Sequence, residues 1–389
     1  MRRCLVLMAA VMLVAGGPAT AAQEPAYIVV DAENGAVLLH SQADQPWYPA
    51  SVTKLMTAYV TFRALKSGRL TATSPVKISA NALAQAPSKM GFKVGTVLNV
   101  DNALKMMLVK SANDIAVAVA ETVGGSERAF VSMMNVEAVR LGMASTHFNN
   151  PNGLPDNGQV TTARDLAVLA QAVWVEFPEY REYFRIPAIK AGKRILRSPN
   201  QLLEHYRGAT GMKTGFICSS GFNIVASAER NGRNLIAVVL GATSSAQRSE
   251  AAARLLTQGF GSWFGSNKPQ LATFRAGASR GEPVNMRDQV CGKRVQREDD
   301  GLTDPLLAKL GERSALVPRF VLMDPVPVYT GRADPAAGAT VAALGKPAPA
   351  NMPMPRLRPR AVVDETSASA FVPNPADESP TAIQAGKPN

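Results

Sequence analysis

Three short polar sets in this chain have the residue types that serine chemistry needs. Ser51-Val52-Thr53-Lys54 places a hydroxyl three residues ahead of an amine. On a helix, positions i and i+3 are neighbours on one face, so Lys54 can reach back toward the Ser51 hydroxyl. A serine hydroxyl is a weak nucleophile until an adjacent base takes its proton. The plainer alternative is a capping serine followed by a solvated lysine. A second Ser-x-x-Lys, Ser74-Pro75-Val76-Lys77, lacks the same setting, because Pro75 and its β-branched neighbours disfavour a helix.

Ser111-Ala112-Asn113 lies between two strongly apolar helical runs. Polar side chains there cost stability unless they hydrogen-bond something. Ser79-Ala80-Asn81 and Ser198-Pro199-Asn200 share the pattern, and ordinary capping or turn chemistry is the alternative. Lys213-Thr214-Gly215 is the chain's only Lys-Thr-Gly. It falls on or just before a strand, where Gly215 would let a ligand approach the backbone. A solvated lysine in a Gly-rich turn would look the same. None of the three histidines offers a convincing base: His147 sits in a turn-rich stretch and His205 near a helix end.

The elements that must position these groups are legible from periodicity and turns. Two β-rich runs flank Asn34-Gly35, a strong hairpin signal. Residues 51–68 follow with helical spacing, and Gly68 is placed as a stop. Further helical patterns cover about 101–123, 126–141 and 162–175. GFNIVASAER and NLIAVVLGA read as strands joined through Asn231-Gly232, and AQRSEAAARLLTQGF as a final helix. Strands at both ends with helices between them predict one α/β unit, ending near Phe264, whose sheet joins distant segments. Between 269 and 330 the one strand candidate is RFVLMDPVPVY, an edge at best because of its prolines.

The expected layout is a signal peptide at 1–22, a catalytic domain at 23–265, a short extension at 266–330 and a disordered Pro/Ala-rich tail at 331–389. The signal reading comes from two arginines, an apolar run and a small-residue end at Ala19-Thr20-Ala21. That run is too short for a permanent span, and no later segment is a candidate, so an exported protein of the periplasm or cell envelope is expected. The tail is Pro-dense and cannot bury enough apolar area to offset its ordering entropy. The chain has 389 residues, 46% of them hydrophobic, with a formal charge of +12 that favours an anionic partner. Export argues against nucleic acid as that partner. Removal of Cys4 with the signal leaves Cys218 and Cys291, which could pair or remain buried thiols.

Taken in order, Ser-x-x-Lys on a helix, Ser-x-Asn between helices and Lys-Thr-Gly on a strand resemble the penicillin-recognising serine enzymes. YPASVTKLMTAYV, KSANDIAVAVAE, THFNNPNGLPDNGQVTTARDLAVLA, GMKTGFICSSGFNIVASAER and QRSEAAARLL extend the resemblance to low-molecular-mass penicillin-binding proteins, the D-alanyl-D-alanine carboxypeptidases. It covers about residues 25–264. It implies an antiparallel sheet flanked by helices with a largely helical subdomain, as in DD-peptidases and β-lactamases. It also implies a peptidoglycan stem peptide as substrate, β-lactam antibiotics as covalent inhibitors, and no metal or organic cofactor.

The roles implied are specific. Ser51 attacks the carbonyl between two D-alanines, Lys54 takes its proton, and Ser111, with Lys213, protonates the leaving amine. Asn113 orients Lys54, and the oxyanion sits between the amides of Ser51 and Phe216. Thr214 and Arg248 bind the terminal carboxylate; an ordinary solvated helix arginine would read the same as Arg248. NNPNGLPDNGQ fits the family, is expected to pack near the cleft and is assigned no chemistry. The tail, Pro-broken throughout, departs from the amphipathic membrane anchor such proteins often carry. Four other readings compete. They are a D,D-endopeptidase, a β-lactamase (which would want Glu-x-x-Leu-Asn between the second and third sets, absent here), a non-catalytic wall-binding scaffold, and a nucleic-acid binder.

Overall fold

The computed structural model describes residues 25–262, 268–275, 277, 281–292 and 314–331. The expected signal peptide and the tail beyond residue 331 lie outside the described residues. Strands β1 (Ala26–Asp31) and β2 (Val37–Ser41) form the first hairpin; β3 (Pro75–Lys77) and β4 (Val97–Asn99) form a small ribbon. β5 (Ala188–Ala191) pairs with β6 (Arg194–Arg197), and β7 (Ala209–Ile217), β8 (Gly221–Arg230) and β9 (Arg233–Ala242) run as a meander before β10 (Val326–Val328). The helices are α1 (Lys54–Lys66), α2 (Ala80–Ala84), α3 (Val100–Val109), α4 (Asn113–Gly124), α5 (Glu127–Arg140), α6 (Ala163–Glu176), α7 (Leu202–His205), α8 (Ser245–Gly261) and α9 (Arg287–Val290).

The main sheet has the order β2-β1-β9-β8-β7, antiparallel throughout, so the first hairpin is zipped onto the last strand of the meander. Turn chemistry sets the hairpin: Asp31 Oδ1 accepts from the amides of Glu33 and Asn34, and Asn34 Oδ1 from that of Ala36. Strand periodicity sets the layers. Along β9, Ile236, Val238 and Leu240 enter the core that holds α1 and α6, while Leu235, Ala237 and Val239 enter the core that holds α8. A strand covered on both faces reads as a continuous apolar run, as NLIAVVLGA does. Each such Leu or Ile contributes about 1.5–3 kcal/mol by burial.

The helical pattern over 101–123 is two helices, with the Ser111-Ala112-Asn113 set between them as its polar residues led us to expect. Ser111 has φ +62 and Ala112 is extended. A left-handed residue cannot propagate a right-handed helix, so the helix must break there. Ser88 bridges the gap: its Oγ donates to Lys110 O at 3.1 Å, and its carbonyl accepts from the Asn113 amide at 2.7 Å. Asp114, fully buried, accepts from the amides of Met90 at 3.0 Å and Gly91 at 2.8 Å and so ties down the same loop.

The segments after 265 pack on the rest. Leu271, Phe274, Met286, Val290 and Val328 join the larger core and Leu316 the smaller. β10 does form an edge strand, pairing in parallel with β5 through Val326↔Ile189. Among the described residues no helix is long and apolar enough to cross a membrane.

Candidate active site

Ser51 lies in a single 3₁₀ turn, Ala50–Thr53, that runs directly into α1. It is not a side-chain cap; the turn is held from outside. Buried Asn223 of β8 donates to Tyr48 O at 3.0 Å and accepts from the Gly241 amide at 3.0 Å, fixing the approach to the turn against the sheet. Trp47 exchanges backbone bonds with Thr161 and donates its indole N–H to Ser220 O at 2.9 Å.

Two glycines make room for the turn. At Gly215 a Cβ would meet Pro49 O and Val52 N at 2.9 Å and Ser51 N at 3.0 Å. Gly215 thus admits the serine turn itself against β7, where the sequence led us to expect close approach of a ligand. At Gly153, with φ +84, a Cβ would lie 1.9 Å from Ala50 O. NNPNGLPDNGQ therefore forms a wall of the site, in keeping with the expected place near the cleft.

Lys54 is fully buried, in contact with three oxygens. Its Nζ lies 2.9 Å from Ser51 Oγ, 2.7 Å from Asn113 Oδ1 and 2.6 Å from the carbonyl oxygen of Asn152. The amide of Asn113 is oriented by its own Nδ2, which donates to Ala86 O at 2.8 Å, so Oδ1 must face the lysine. Asn113 Oδ1 and Asn152 O can only accept. A neutral amine has two N–H bonds and one lone pair; with both N–H bonds given to those acceptors, the lone pair is left for the Ser51 hydroxyl proton. The electrostatics favour that state. Burial holds the Lys54 amine well below its usual range, the Lys213 charge acts in the same direction, and Asp114 partly opposes them.

Lys213 forms the second cluster. Its Nζ donates to Ser111 Oγ at 2.9 Å and to Thr214 O at 2.8 Å. Burial and then the Arg248 charge push its pKa down to about 7. Arg248 is not a solvated helix residue: it is 3% exposed and donates to Pro199 O and Ser245 Oγ, both at 2.9 Å. Thr214 is buried, whereas Phe216, 43% exposed, packs at a tilt against Phe222 with ring centroids 4.3 Å apart. The structure thus brings together Ser51, Lys54 and Asn113 in one set, and Ser111 and Lys213 in another, with the two lysines coupled by charge. The Asn152 carbonyl went unread because a backbone oxygen has no sequence signature; the Asn- and Gly-dense turn around it was the only clue.

One residue beyond β7, Cys218 is joined to Cys291 with Cα atoms 5.6 Å apart. His205 Nδ1 pairs with Val317 O at 3.0 Å, and His147 forms a β-bridge with Val160; both serve the fold.

A family model described as D-alanyl-D-alanine carboxypeptidase matches residues 14–244. The chain is similar to D-alanyl-D-alanine carboxypeptidase DacC of Escherichia coli (strain K12), with 36% identity over 244 residues, 60% of this chain and 60% of that protein. It is also similar to DacA of Haemophilus influenzae, with 36% identity over 309 residues, 77% of this chain and 75% of that one. The match to the Escherichia coli relative thus spans about three fifths of its length. Among solved structures, penicillin binding protein 5 from Haemophilus influenzae superposes with TM-score 0.59 and 33% identity over 63% of this chain and 73% of that one. Penicillin-binding protein D2 from Listeria monocytogenes in the cefotaxime-bound form gives 0.55 and 31% over 60% and 96%. With a family model spanning most of the described residues, and relatives alike in sequence and fold, this chain belongs to the D-alanyl-D-alanine carboxypeptidase family.

Proposed function

We propose that this protein is a serine D-Ala-D-Ala carboxypeptidase that removes the terminal D-alanine from peptidoglycan stem peptides through an acyl-enzyme on Ser51. The observation that carries the proposal is the buried Lys54 amine, saturated by two acceptors and facing Ser51 Oγ at 2.9 Å.

Ser51 Oγ attacks the carbonyl carbon between the two D-alanines while its proton passes to the Lys54 lone pair. The carbonyl oxygen becomes an oxyanion, received by the amides of Ser51 and Phe216. Losing one such donor typically costs on the order of a hundredfold or more in rate. The C–N bond then breaks, and the proton held by Lys54 passes through the Ser111 hydroxyl, which is hydrogen-bonded to Lys213, to the departing amine, leaving Lys54 neutral again. Thr214 and Arg248 receive the terminal carboxylate, aided by the cationic surroundings of Lys213. A water gives a proton to Lys54 as it adds to the ester carbonyl; the acyl–Oγ bond then breaks and Lys54 returns that proton to Ser51 Oγ. A β-lactam amide enters by the same attack and is held because its leaving group stays tethered. An envelope location follows from the substrate and from the charged, apolar and small-residue order of 1–22. We assign 23–265 as the catalytic domain.

The test is D-alanine release from a stem pentapeptide by the wild type and by Ser51→Ala. Release confined to the wild type is expected; release that persists in Ser51→Ala would place the nucleophile elsewhere, and release from neither would sink the activity.

A further inference from the structure

A cavity of about 430 Å³ opens beside the Ser111 break without including Ser51, Lys54 or Lys213. Four separate segments build it. The loop tied down by Asp114 supplies Lys89 and Phe92, the end of α3 supplies Met106 and Lys110, the β5–β6 hairpin supplies Arg194, and the residues around β10 supply Val328 and Tyr329. Its lining has three cations and, among the described residues, no carboxylate. The remaining wall is largely apolar.

Lys110 and Arg194 are drawn close at a cost. Burial and then the Arg194 charge depress the Lys110 amine. Like charges gathered against an apolar wall are stabilised by an anion seated among them. Lys110 also immediately precedes Ser111, and Ser88, beside Lys89, bonds to both ends of the break. Whatever fills the cavity therefore sits next to residues of the reaction centre. The wall formed by Val328 and Tyr329 lies beyond the residues that the family model matches.

On the reading of the active site given above, we propose that this cavity is a specificity subsite for a carboxylate on an aliphatic arm of the substrate peptide. The two terminal D-alanines have only methyl side chains, so the carboxylate belongs to a residue earlier in the peptide. Its methylenes lie along Phe92, Met106 and Val328, and its charge meets Lys110, Arg194 and Lys89.

Two peptides decide the matter: acetyl-L-2-aminoadipyl-D-Ala-D-Ala and its side-chain amide. Wild type is expected to favour the acid about tenfold in kcat/KM at low salt, mainly through KM. The preference should shrink with added salt as exposed charges are screened. In Arg194→Gln and in Lys110→Gln the acid-to-amide ratio should fall to within about twofold. Equal use of both peptides by the wild type, or an undiminished ratio in the double variant, overturns the proposal. The same pair is titrated calorimetrically into Ser51→Ala, where the acid should bind about tenfold more tightly. If neither peptide yields D-alanine, the activity fails while this binding ratio still decides the subsite, and equal affinities would refute it.

Discussion

Lys54 Nζ meets the carbonyl oxygen of Asn152 at 2.6 Å, a contact between residues 98 positions apart. With the Asn113 amide at 2.7 Å it removes both N–H bonds of a neutral amine from competition and leaves the lone pair pointing at Ser51. In the proposed mechanism the base is thus prepared by acceptors that bear no charge.

That arrangement predicts the effect of Asn113→Asp. A carboxylate at the same position would favour the charged ammonium and raise the Lys54 pKa. Because the base must be neutral to accept the Ser51 proton, the acid limb of acylation should move at least one pH unit to the alkaline side. At pH 7 the rate should fall by about tenfold or more, measured as the pH profile of acylation by a fluorescent penicillin. An unchanged profile would show that Asn113 has no bearing on the lysine's ionisation.

Lys213→Met tests the coupling of the two lysines. Removing that cation lifts one of the influences that depress Lys54, so its pKa rises and the acid limb again shifts upward. Stability should respond as well. Lys213 has a folded pKa of about 7 against a usual 10.5. Between those values the unfolded chain holds a proton on Lys213 that the folded chain lacks, so wild-type stability should climb as pH rises from 7 toward 10.5. In Lys213→Met the climb should be shallower and stability at pH 7 higher, read from urea titrations at several pH values. An identical slope in both proteins would contradict the shift.

Gly153→Ala should disable the enzyme from outside the catalytic sets. The new Cβ would fall 1.9 Å from Ala50 O, at a residue whose φ of +84 already disfavours a side chain. The expected loss is at least about 2 kcal/mol of stability. A penicillin acylation rate reduced by about a hundredfold should accompany it, because the Ser51 turn must move. Normal acylation by the folded variant would argue that the turn tolerates displacement.

Cys218–Cys291 closes a loop over 73 residues of separation. Cross-links of that span stabilise by about 4 kcal/mol in the chain-entropy account. Cys291→Ser should lower the urea midpoint correspondingly. It should also speed proteolysis around Met286, whose amide bonds to Ser219 O at 3.0 Å. Two free thiols in non-reducing mass spectrometry of protein from its native compartment would rule the bond out.

Local chemistry was the legible part. Asn34-Gly35 and Asn231-Gly232 announce their turns because few residues accept left-handed backbone, and the alternation in GFNIVASAER announces a strand. The Ser51–Lys54 spacing is readable for the same reason, being contained within one helical turn. The polar set at Ser111 marked an interruption between helices, but what holds it, Ser88 and Asp114 pinning a distant loop, lies outside the window over which periodicity is judged. Burial of Arg248 and the parallel pairing of β10 with β5 are likewise set by segments far along the chain. Gly215 was legible as a glycine, but the neighbour it makes room for was not.

The sheet order also has a meaning in time. The strand that opens the chain is flanked by its hairpin partner and by β9, and the Ser51 turn leans on Gly215 of β7. A growing polypeptide therefore carries Ser51 without its β7 brace until Ile217 has been added. Only when the meander is complete do the turn, the acceptors of Lys54 and the Lys213 charge exist together. Reactivity arrives late and all at once, with the closing of the sheet as its timer.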